Sequence, residues 1–211
     1  LGLVGRASRP ARKDRSRVVC RARCRAAPVS GLGIRGHLSH ELRERAACLP
    51  VDDPKADALL SIVIDGEAGN RVAKMLVFSY FLHTLHYLLG KLADAGVRVA
   101  MICGQTPDDA WDSRAGDAPT RSQLRERFRL SASDPDAIDV LLSSEVGCEG
   151  LDYEFCDRLV NYDIPWNPMR LEQRIGRIDR FGQLSPKVRI FNFITPGTVE
   201  ERIFFPLLRA H

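Results

Sequence analysis

Short apolar runs alternate along the chain with longer segments in which apolar residues recur at helical spacing. This alternation begins at residue 53. Short runs rich in valine, isoleucine and leucine are typical of strands that are buried on both faces of a sheet. Five runs are predicted to be strands of this kind: Lys74–Ser79, Val97–Cys103, Ile138–Leu142, Arg158–Tyr162 and Val188–Phe193.

Helical repeats separate these strands. The first repeat runs from Phe81 to Leu92 and is ended by Gly96. Residues 104–120 are polar and are predicted to form a long loop. Three more helices are predicted, at Arg121–Phe128, Pro168–Arg180 and Thr198–Leu208. The pattern predicts an α/β fold with a doubly wound, mainly parallel sheet and flanking helices.

The first fifty residues differ from the rest in composition and charge. They hold 12 basic and 3 acidic side chains, a net charge of +9, whereas the other 161 residues hold 19 basic and 24 acidic side chains, a net charge of −5. No apolar period persists in this leader, so we expect residues 1–52 to be disordered and residues 53–211 to form one domain. The leader is otherwise interpreted as a nucleic-acid-binding arm, a transit peptide, or sequence that is not a natural N-terminus, since the chain starts at Leu1.

Cysteine and histidine spacing in the leader approaches that of a zinc finger. Cys20, Cys24, His37 and His40 are so spaced, but the last gap is one residue short and the intervening stretch contains a proline and three glycines. We therefore expect no bound metal. Six cysteines at irregular spacing indicate a reducing compartment, and no apolar run is long enough to span a bilayer. The expected protein is cytoplasmic, with no membrane partner.

The loop after the predicted strand Ile138–Leu142 carries glycines and small polar side chains. Gly147 and Gly150 permit positive φ and close backbone approach. Ser143, Ser144 and Asp152 offer small polar groups suited to phosphate oxygens and sugar hydroxyls. Ligands in doubly wound sheets bind beyond the carboxyl ends of strands. The loop is a candidate phosphate and ribose site, although glycine loops also make ordinary turns.

The predicted helix Pro168–Arg180 carries an amide and two guanidiniums at helical spacing. Gln173, Arg177 and Arg180 lie at i, i+4 and i+7, which places them along one helix face. Paired guanidiniums stabilise the charge on a transferring phosphoryl group. A solvated, salt-bridged face with Glu172 and Asp179 as local partners fits the same spacing.

The segment from Asp163 to Gln183 resembles motif VI of superfamily 2 helicases, and is most similar to that of the Swi/Snf-type branch. Within it, Gln173-Arg-Ile-Gly-Arg-Ile-Asp-Arg180 fits the form Q-R-x-G-R-x-x-R. Leu142-Ser-Ser-Glu-Val-Gly-Cys-Glu-Gly-Leu-Asp152 resembles motif V, in wording closest to a bacterial subgroup that includes an RNA-polymerase-recycling ATPase.

Two further segments extend the resemblance. Lys74-Met-Leu-Val-Phe-Ser-Tyr-Phe81 resembles motif IV, and Thr198-Val-Glu-Glu-Arg-Ile203 resembles the terminal segment of the same branch. The motifs occur in family order over residues 53–205, about three quarters of the chain. The resemblance implies the second of two RecA-like lobes of the P-loop NTPase type, which together clamp ATP with Mg²⁺ and grip the backbone of DNA or RNA.

The resemblance also implies roles for single residues. Arg177 and Arg180 are the implied arginine fingers, and Gln173 orients them. The residues implied to lie near the nucleotide are Gly147, Gly150 and Asp152. The residues implied to line the nucleic-acid track are Ser79, Gly104, Ser143 and Ser144. Contacts of this kind to the nucleic-acid backbone are independent of base sequence.

Two elements of a nucleotide-hydrolysing motor do not occur in this sequence. It contains no G-x4-G-K-[ST] phosphate loop, since Gly90-Lys91 is followed by leucine, and no Asp-Glu box for Mg²⁺. The chain is therefore expected not to hydrolyse ATP alone and to need a first RecA-like lobe as a partner. A non-catalytic module that binds nucleic acid or a partner, or a truncated fragment that is inactive alone, is the alternative function. Pro206 is expected to kink or end the last predicted helix.

Overall fold

A seven-stranded sheet forms the centre of the molecule. The computed structural model describes residues 14–21, 53–66, 74–104, 110–112 and 119–202. The strands in these ranges are β1 (Asp14–Arg21), β2 (Met75–Phe78), β3 (Val99–Ile102), β4 (Ala110–Asp112), β5 (Val140–Ser143), β6 (Arg158–Asn161) and β7 (Lys187–Ile194). Their order across the sheet is β1-β7-β6-β2-β5-β3-β4. Every neighbouring pair is parallel except β3 with β4.

Four helices that lie wholly within the described ranges flank the sheet: α1 (Pro54–Ile64), α2 (Leu82–Asp94), α3 (Arg121–Arg129) and α4 (Pro168–Ile175). Polar side chains cap the N-termini of three of them. The Asp53 carboxylate accepts the first amides of α1, a capping box of Thr120 and Gln123 begins α3, and the Asn167 side chain caps α4. Such caps satisfy amide groups that have no partner inside the helix.

Successive residues of the central strand pack into different layers. In β2, Met75 and Val77 join the core under α1 and α2, while Leu76 and Phe78 join the core under α3 and α4. Because side chains alternate across a strand, a sheet covered on both faces needs apolar residues at every position. The four residues of β2 are all buried. This two-sided core confirms the predicted doubly wound fold.

All five predicted strands are present, with bounds shifted by one or two residues. Helix α1 and strand β4 were not predicted. The signal for α1 is the Asp53-Pro54 pair followed by buried apolar residues at helical spacing, and β4 lies inside the stretch predicted to be a loop. Helical geometry begins at Val199, as the terminal motif predicts, and the part of that helix beyond residue 202, with Pro206, lies outside the described residues.

Part of the predicted leader joins the sheet. Strand β1 pairs in parallel with β7 over its whole length, from Asp14 opposite Lys187 to Arg21 opposite Ile194. The sequence pattern predicted no strand there. The other residues of the leader, including three of the four positions with zinc-finger-like spacing, lie outside the described ranges. Strand β1 lies on the leader side of the domain boundary predicted at residue 53, and that boundary stays a prediction.

No helix in the described ranges combines the length and the apolar character needed to cross a membrane.

Replacing Gly90 by alanine is expected to stabilise the domain by about 0.5–1 kcal/mol, because glycine inside a helix is unfavourable by that amount. Gly90 lies within α2, and a Cβ there meets no atom within 4 Å. The matched control is Gly96→Ala. That position is equally open but has φ +73°, where an L side chain is unfavourable by about 1–2 kcal/mol. Urea unfolding measures both, and the same sign for the two variants contradicts this account.

Candidate functional site

The site is built where adjacent parallel strands end. Strands β6, β2, β5 and β3 are neighbours in that order, so their carboxyl ends meet at one edge of the sheet. The segments that leave them begin at Tyr162, Ser79, Ser144 and Cys103. All ten residues predicted for the site lie on these segments, at strand ends, or on α4 and the turns that follow it.

The turn after β5 uses its two glycines for different reasons. A Cβ on Gly147 would lie 2.3 Å from the carbonyl oxygen of Ile102, so this glycine allows the turn to pack against the end of β3. Gly150 is exposed, with φ +74° and open space around it. Only Gly150 therefore has the positive φ for which glycine is favoured. Gly147 is buried and sets the position of the turn.

Two arginines of α3 hold the carbonyl groups of this turn. Arg121 donates to the carbonyls of Gly147 and Glu149, from Nε to Gly147 at 3.1 Å and from Nη2 to Glu149 at 2.9 Å. Arg125 donates from Nε to the Asp152 carbonyl at 2.8 Å. Sequence reasoning missed both residues, because their partners are more than twenty positions away and no local pattern marks the contact.

Helix α4 ends earlier than the sequence predicted. Its C-cap is Gly176, and residues 177–182 form turns. A continuing helix would bond the Arg177 carbonyl to the amide of Phe181, but that carbonyl accepts from the Tyr153 amide at 2.8 Å. The predicted single helix face through Gln173, Arg177 and Arg180 is therefore wrong. The backbone bond to Tyr153 joins the two motifs instead.

The structure nevertheless brings Arg180 to Asp152. The guanidinium of Arg180 donates to the Asp152 carboxylate, and both side chains are partly exposed, by 53% and 35%. The sequence predicted these residues as parts of one nucleotide site, and they are in direct contact. Neither of the predicted local partners, Glu172 and Asp179, forms this ion pair.

A cavity of about 390 Å³ opens between the turn after β5 and α4. Its lining includes Gln173 and Arg177 from the predicted site, with Glu145, Arg170 and Arg174. Arg177 is half-buried, and its guanidinium makes no hydrogen bond or ion pair with any residue in the described part of the chain. The backbone of Arg177 is thus fixed while its charge stays available to a ligand.

The four residues predicted for the nucleic-acid track lie together at the strand ends. Ser79 and Ser143 are fully buried; the Ser79 hydroxyl donates to the Asp163 carboxylate, and the Ser143 hydroxyl donates to the Ser144 carbonyl at 2.8 Å. The Ser144 hydroxyl donates to the Cys103 carbonyl at 2.6 Å. Gly104 is half-buried beside them. In this structure the three hydroxyls donate within the protein.

Comparison with known families adds to this geometry. The profile of the helicase conserved C-terminal domain matches residues 54–182, more than half of the chain. The chain belongs to this family. The match covers the resemblances to motifs IV, V and VI and confirms the family that the sequence indicated.

Relatives of this helicase C-terminal domain are much longer proteins. The uncharacterized ATP-dependent helicase YqhH of Bacillus subtilis (strain 168) is 58% identical over 66 residues, which cover 31% of this chain and 12% of that protein. RNA polymerase-associated protein RapA of Yersinia pestis (strain Pestoides F) is 40% identical over 111 residues, 47% of this chain and 11% of that protein. The chain spans about a tenth of the length of these relatives.

Solved structures share the fold of the domain. The C-terminal part of the Fun30 ATPase domain has a TM-score of 0.55 and 23% identity, covering 79% of this chain and 52% of that chain. The helicase domain of Hef from Pyrococcus furiosus has a TM-score of 0.53 and 23% identity, covering 80% of this chain and 31% of that chain. Both likenesses support the predicted RecA-like architecture of a helicase lobe.

Arg174 is the residue of motif VI that sequence reasoning did not single out. It is 2% exposed, and its guanidinium contacts residues from the ends of β2 and β6 and the turn after β5. Arginine is rarely buried unless it is paired, and here it is paired with Glu145. The spacing within motif VI gives no sign of this role, because its partners lie on three other segments.

The cysteines of the site loops are buried thiols. Cys148 and Cys156 are 1% and 0% exposed, and Cys103 is half-buried. Burial raises the pKa of the Cys148 thiol, and it raises the pKa of Cys156 to about 12. Among the residues that the structure describes, no group of three or more His, Cys, Asp or Glu side chains is placed to hold a metal ion.

Replacing Gly147 by alanine is expected to destabilise the domain by about 1–3 kcal/mol, because the new methyl group meets backbone atoms of Ile102 that no side-chain rotation can move. The control is Gly150→Asn in the same turn. Asparagine tolerates positive φ, so this change is expected to stay within about 0.5 kcal/mol. Thermal and urea unfolding give both values, and equal losses at the two glycines contradict the assignment of their roles.

Native Cys148 and Cys156 are expected to resist iodoacetamide at pH 8, and to react after unfolding, because their raised pKa values leave little thiolate. Half-buried Cys103 is expected to react faster in the folded chain. The contribution of these thiols to stability is complete below the ordinary thiol pKa of about 8.5 and declines as pH rises above it, since the unfolded chain then ionises first. Peptide mass spectrometry measures the labelling; native labelling of Cys156 at the rate of Cys103 contradicts the account.

Proposed function

We propose that this chain is the second motor lobe of an ATP-dependent nucleic-acid helicase or translocase. In this proposal it supplies arginine fingers to an ATP held by a first RecA-like lobe, together with part of the nucleic-acid track. One observation carries the proposal. Arg177 lines an open cavity with no partner for its guanidinium in the described part of the chain, while its backbone is fixed to the motif V turn through Tyr153.

The available positive charges suit a nucleoside triphosphate. ATP with Mg²⁺ would supply the phosphoryl group, and the first lobe would supply the phosphate loop and the carboxylate for the metal. Arg177 would stabilise negative charge on the phosphoryl oxygens, an effect worth about 10³–10⁵ in rate when an arginine is supplied by a neighbouring lobe or domain. Gln173, exposed on the rim of the same cavity, would orient it.

Arg180 and Asp152 form the second half of the proposed nucleotide face. Their ion pair is partly exposed, so solvent screens it and its strength is small. A phosphate competes well for such a guanidinium, because paired N–H donors match phosphate oxygens. Release of Arg180 would leave the Asp152 carboxylate free to accept from a ribose hydroxyl beside Gly150.

The proposed nucleic-acid track runs along the strand ends. In this proposal Ser79, Ser143 and Ser144 form the floor of the track, and their hydrogen bonds within the protein, which hold the loops in place, support that role. Half-buried Gly104 offers backbone at the same edge. Backbone contacts of this kind would bind DNA or RNA without reading bases. We also propose a cytoplasmic location, with a first lobe and nucleic acid as the partners.

Mixing the chain with a separately produced first lobe of a Swi/Snf-type helicase and with DNA is expected to give ATP hydrolysis that neither protein shows alone. Arg177→Ala is expected to lower the rate of phosphate release by at least 10³-fold, because the finger acts in the transition state. Phosphate release measures the effect, and DNA binding of the variant is expected to stay unchanged.

Arg129→Ala is the matched control, because Arg129 is an exposed arginine of α3 that is not part of the cavity lining. It is expected to keep full activity. Salt-dependent DNA binding without any phosphate release on mixing would overturn the motor proposal. That outcome would favour the alternative, a non-catalytic module that binds nucleic acid or a partner.

A further inference from the structure

Arg174 on α4 reaches the segments that follow β6 and β5. Its Nη1 donates to the Asn161 side-chain oxygen at 2.9 Å and to the Asp163 carbonyl at 3.0 Å. Its Nη2 donates to the Glu145 carboxylate at 3.2 Å. Three of its five N–H groups therefore donate, two to the end of β6 and the segment that follows it and one to the turn after β5. A fork of fixed geometry holds both loops at a set separation.

The same guanidinium also contacts the end of β2. It lies 5.1 Å from the centre of the Phe78 ring and 4.7 Å from the centre of the Tyr80 ring. Cations at these distances are attracted by the ring face, more strongly where water is excluded. Strands β6, β2 and β5 are adjacent, so one side chain joins three consecutive strand ends.

Burial of the Arg174 guanidinium is poorly explained by folding stability alone. Arg174 is 2% exposed, its Nε has no hydrogen-bond partner in the described structure, and Glu145 also pairs with Arg170, at 2.5 Å. Burying an ion pair commonly gives no gain over well-packed apolar side chains of similar volume. The feature that apolar side chains would not reproduce is the directional link between the loops.

Arg174 is also connected to Arg177, the proposed arginine finger. The Arg177 amide donates to the Arg174 carbonyl at 3.1 Å, and both residues line the same cavity. The residue that holds the loops is therefore bonded through its backbone to the turn that carries Arg177. The segments that Arg174 holds are those proposed to form the nucleic-acid track, with Ser79 bonded to Asp163 at their centre.

We infer that Arg174 is a positioning residue that couples the nucleic-acid-facing loops after β2, β5 and β6 to the orientation of Arg177. The inference rests on the proposed function. It assigns Arg174 no contact with ATP or with nucleic acid. Its role is to make the finger depend on the state of the loops, so that bound nucleic acid accelerates hydrolysis.

The first experiment uses the full chain alone and measures amide hydrogen exchange. Arg174→Lys keeps the charge but loses the fork, so protection of α4 and of residues 162–167 is expected to fall at least tenfold relative to β7. Arg98→Lys is the matched control. Arg98 bonds the Asp139 carboxylate and two backbone carbonyls, from a position just before β3, and contacts none of the three loops.

A purely structural role predicts a different exchange result. In that case Arg174→Lys lowers protection by a common factor everywhere, as a loss of global stability does, and the inference is overturned. The double variant Arg174→Met with Glu145→Gln removes the buried charge together with its partly exposed partner charge, so that neither is left unpaired, and it guards against simple misfolding. It is expected to fold and to show the same selective loss of protection in α4 and the loop.

The second experiment adds a first lobe and DNA and compares ATP hydrolysis with and without DNA. In Arg174→Lys the ratio of the hydrolysis rates with and without DNA is expected to fall at least tenfold. The KM for ATP is expected to change less than twofold. Arg98→Lys is expected to retain the stimulation. Full stimulation in Arg174→Lys overturns the inference. If the wild-type mixture hydrolyses no ATP, the proposed function fails, and the exchange result alone decides whether Arg174 links the loops to α4.

Discussion

A parallel sheet sends the carboxyl ends of neighbouring strands to one edge, and in this domain a single buried cation joins the loops at that edge. The Arg174 guanidinium is withdrawn from water and held by the loop after β6, the aromatic rings at the end of β2 and the Glu145 carboxylate after β5. A buried charge that loses its partner is strongly unfavourable. The three loops therefore adopt their positions as one unit, and the cavity beside them inherits its shape from that unit.

Backbone packing sets a second constraint on the same loops. Gly147 lets the turn after β5 lie against the end of β3, and Arg121 then collects the carbonyl groups that the turn leaves unpaired. Unpaired carbonyls in a half-buried turn are costly, so the turn and α3 stabilise each other. The exposed Gly150 does not pack closely against another strand. Its positive φ turns the chain toward Asp152, which meets Arg180.

The sequence predicted the fold better than it predicted the site. Buried parallel strands are continuous apolar runs, so strands such as β2 and β5 could be located from local composition alone. The single helix face proposed for Arg177 was wrong because a carbonyl bond to Tyr153, a residue outside the helix, decides where α4 ends. Arg174 went unnoticed for the same reason: its role consists of contacts between distant segments, and motif spacing records only which residues are near in the chain.

The three arginines of motif VI differ in how strongly the protein holds them, and this difference supports the proposed ligand site over a local salt-bridged face. An exposed ion pair such as that of Arg180 with Asp152 contributes only about 0.2–1 kcal/mol, so the phosphate of the proposed function would displace it at little cost. Arg177 has no partner to displace in the described part of the chain, whereas Arg174 is buried and is not available to any ligand. A solvated face would show three similar, exposed cations. The cations instead range from the buried Arg174 through the weakly paired Arg180 to the unpaired Arg177, and this range supports the proposal of a site that holds its framework rigid and still presents charge to an anion.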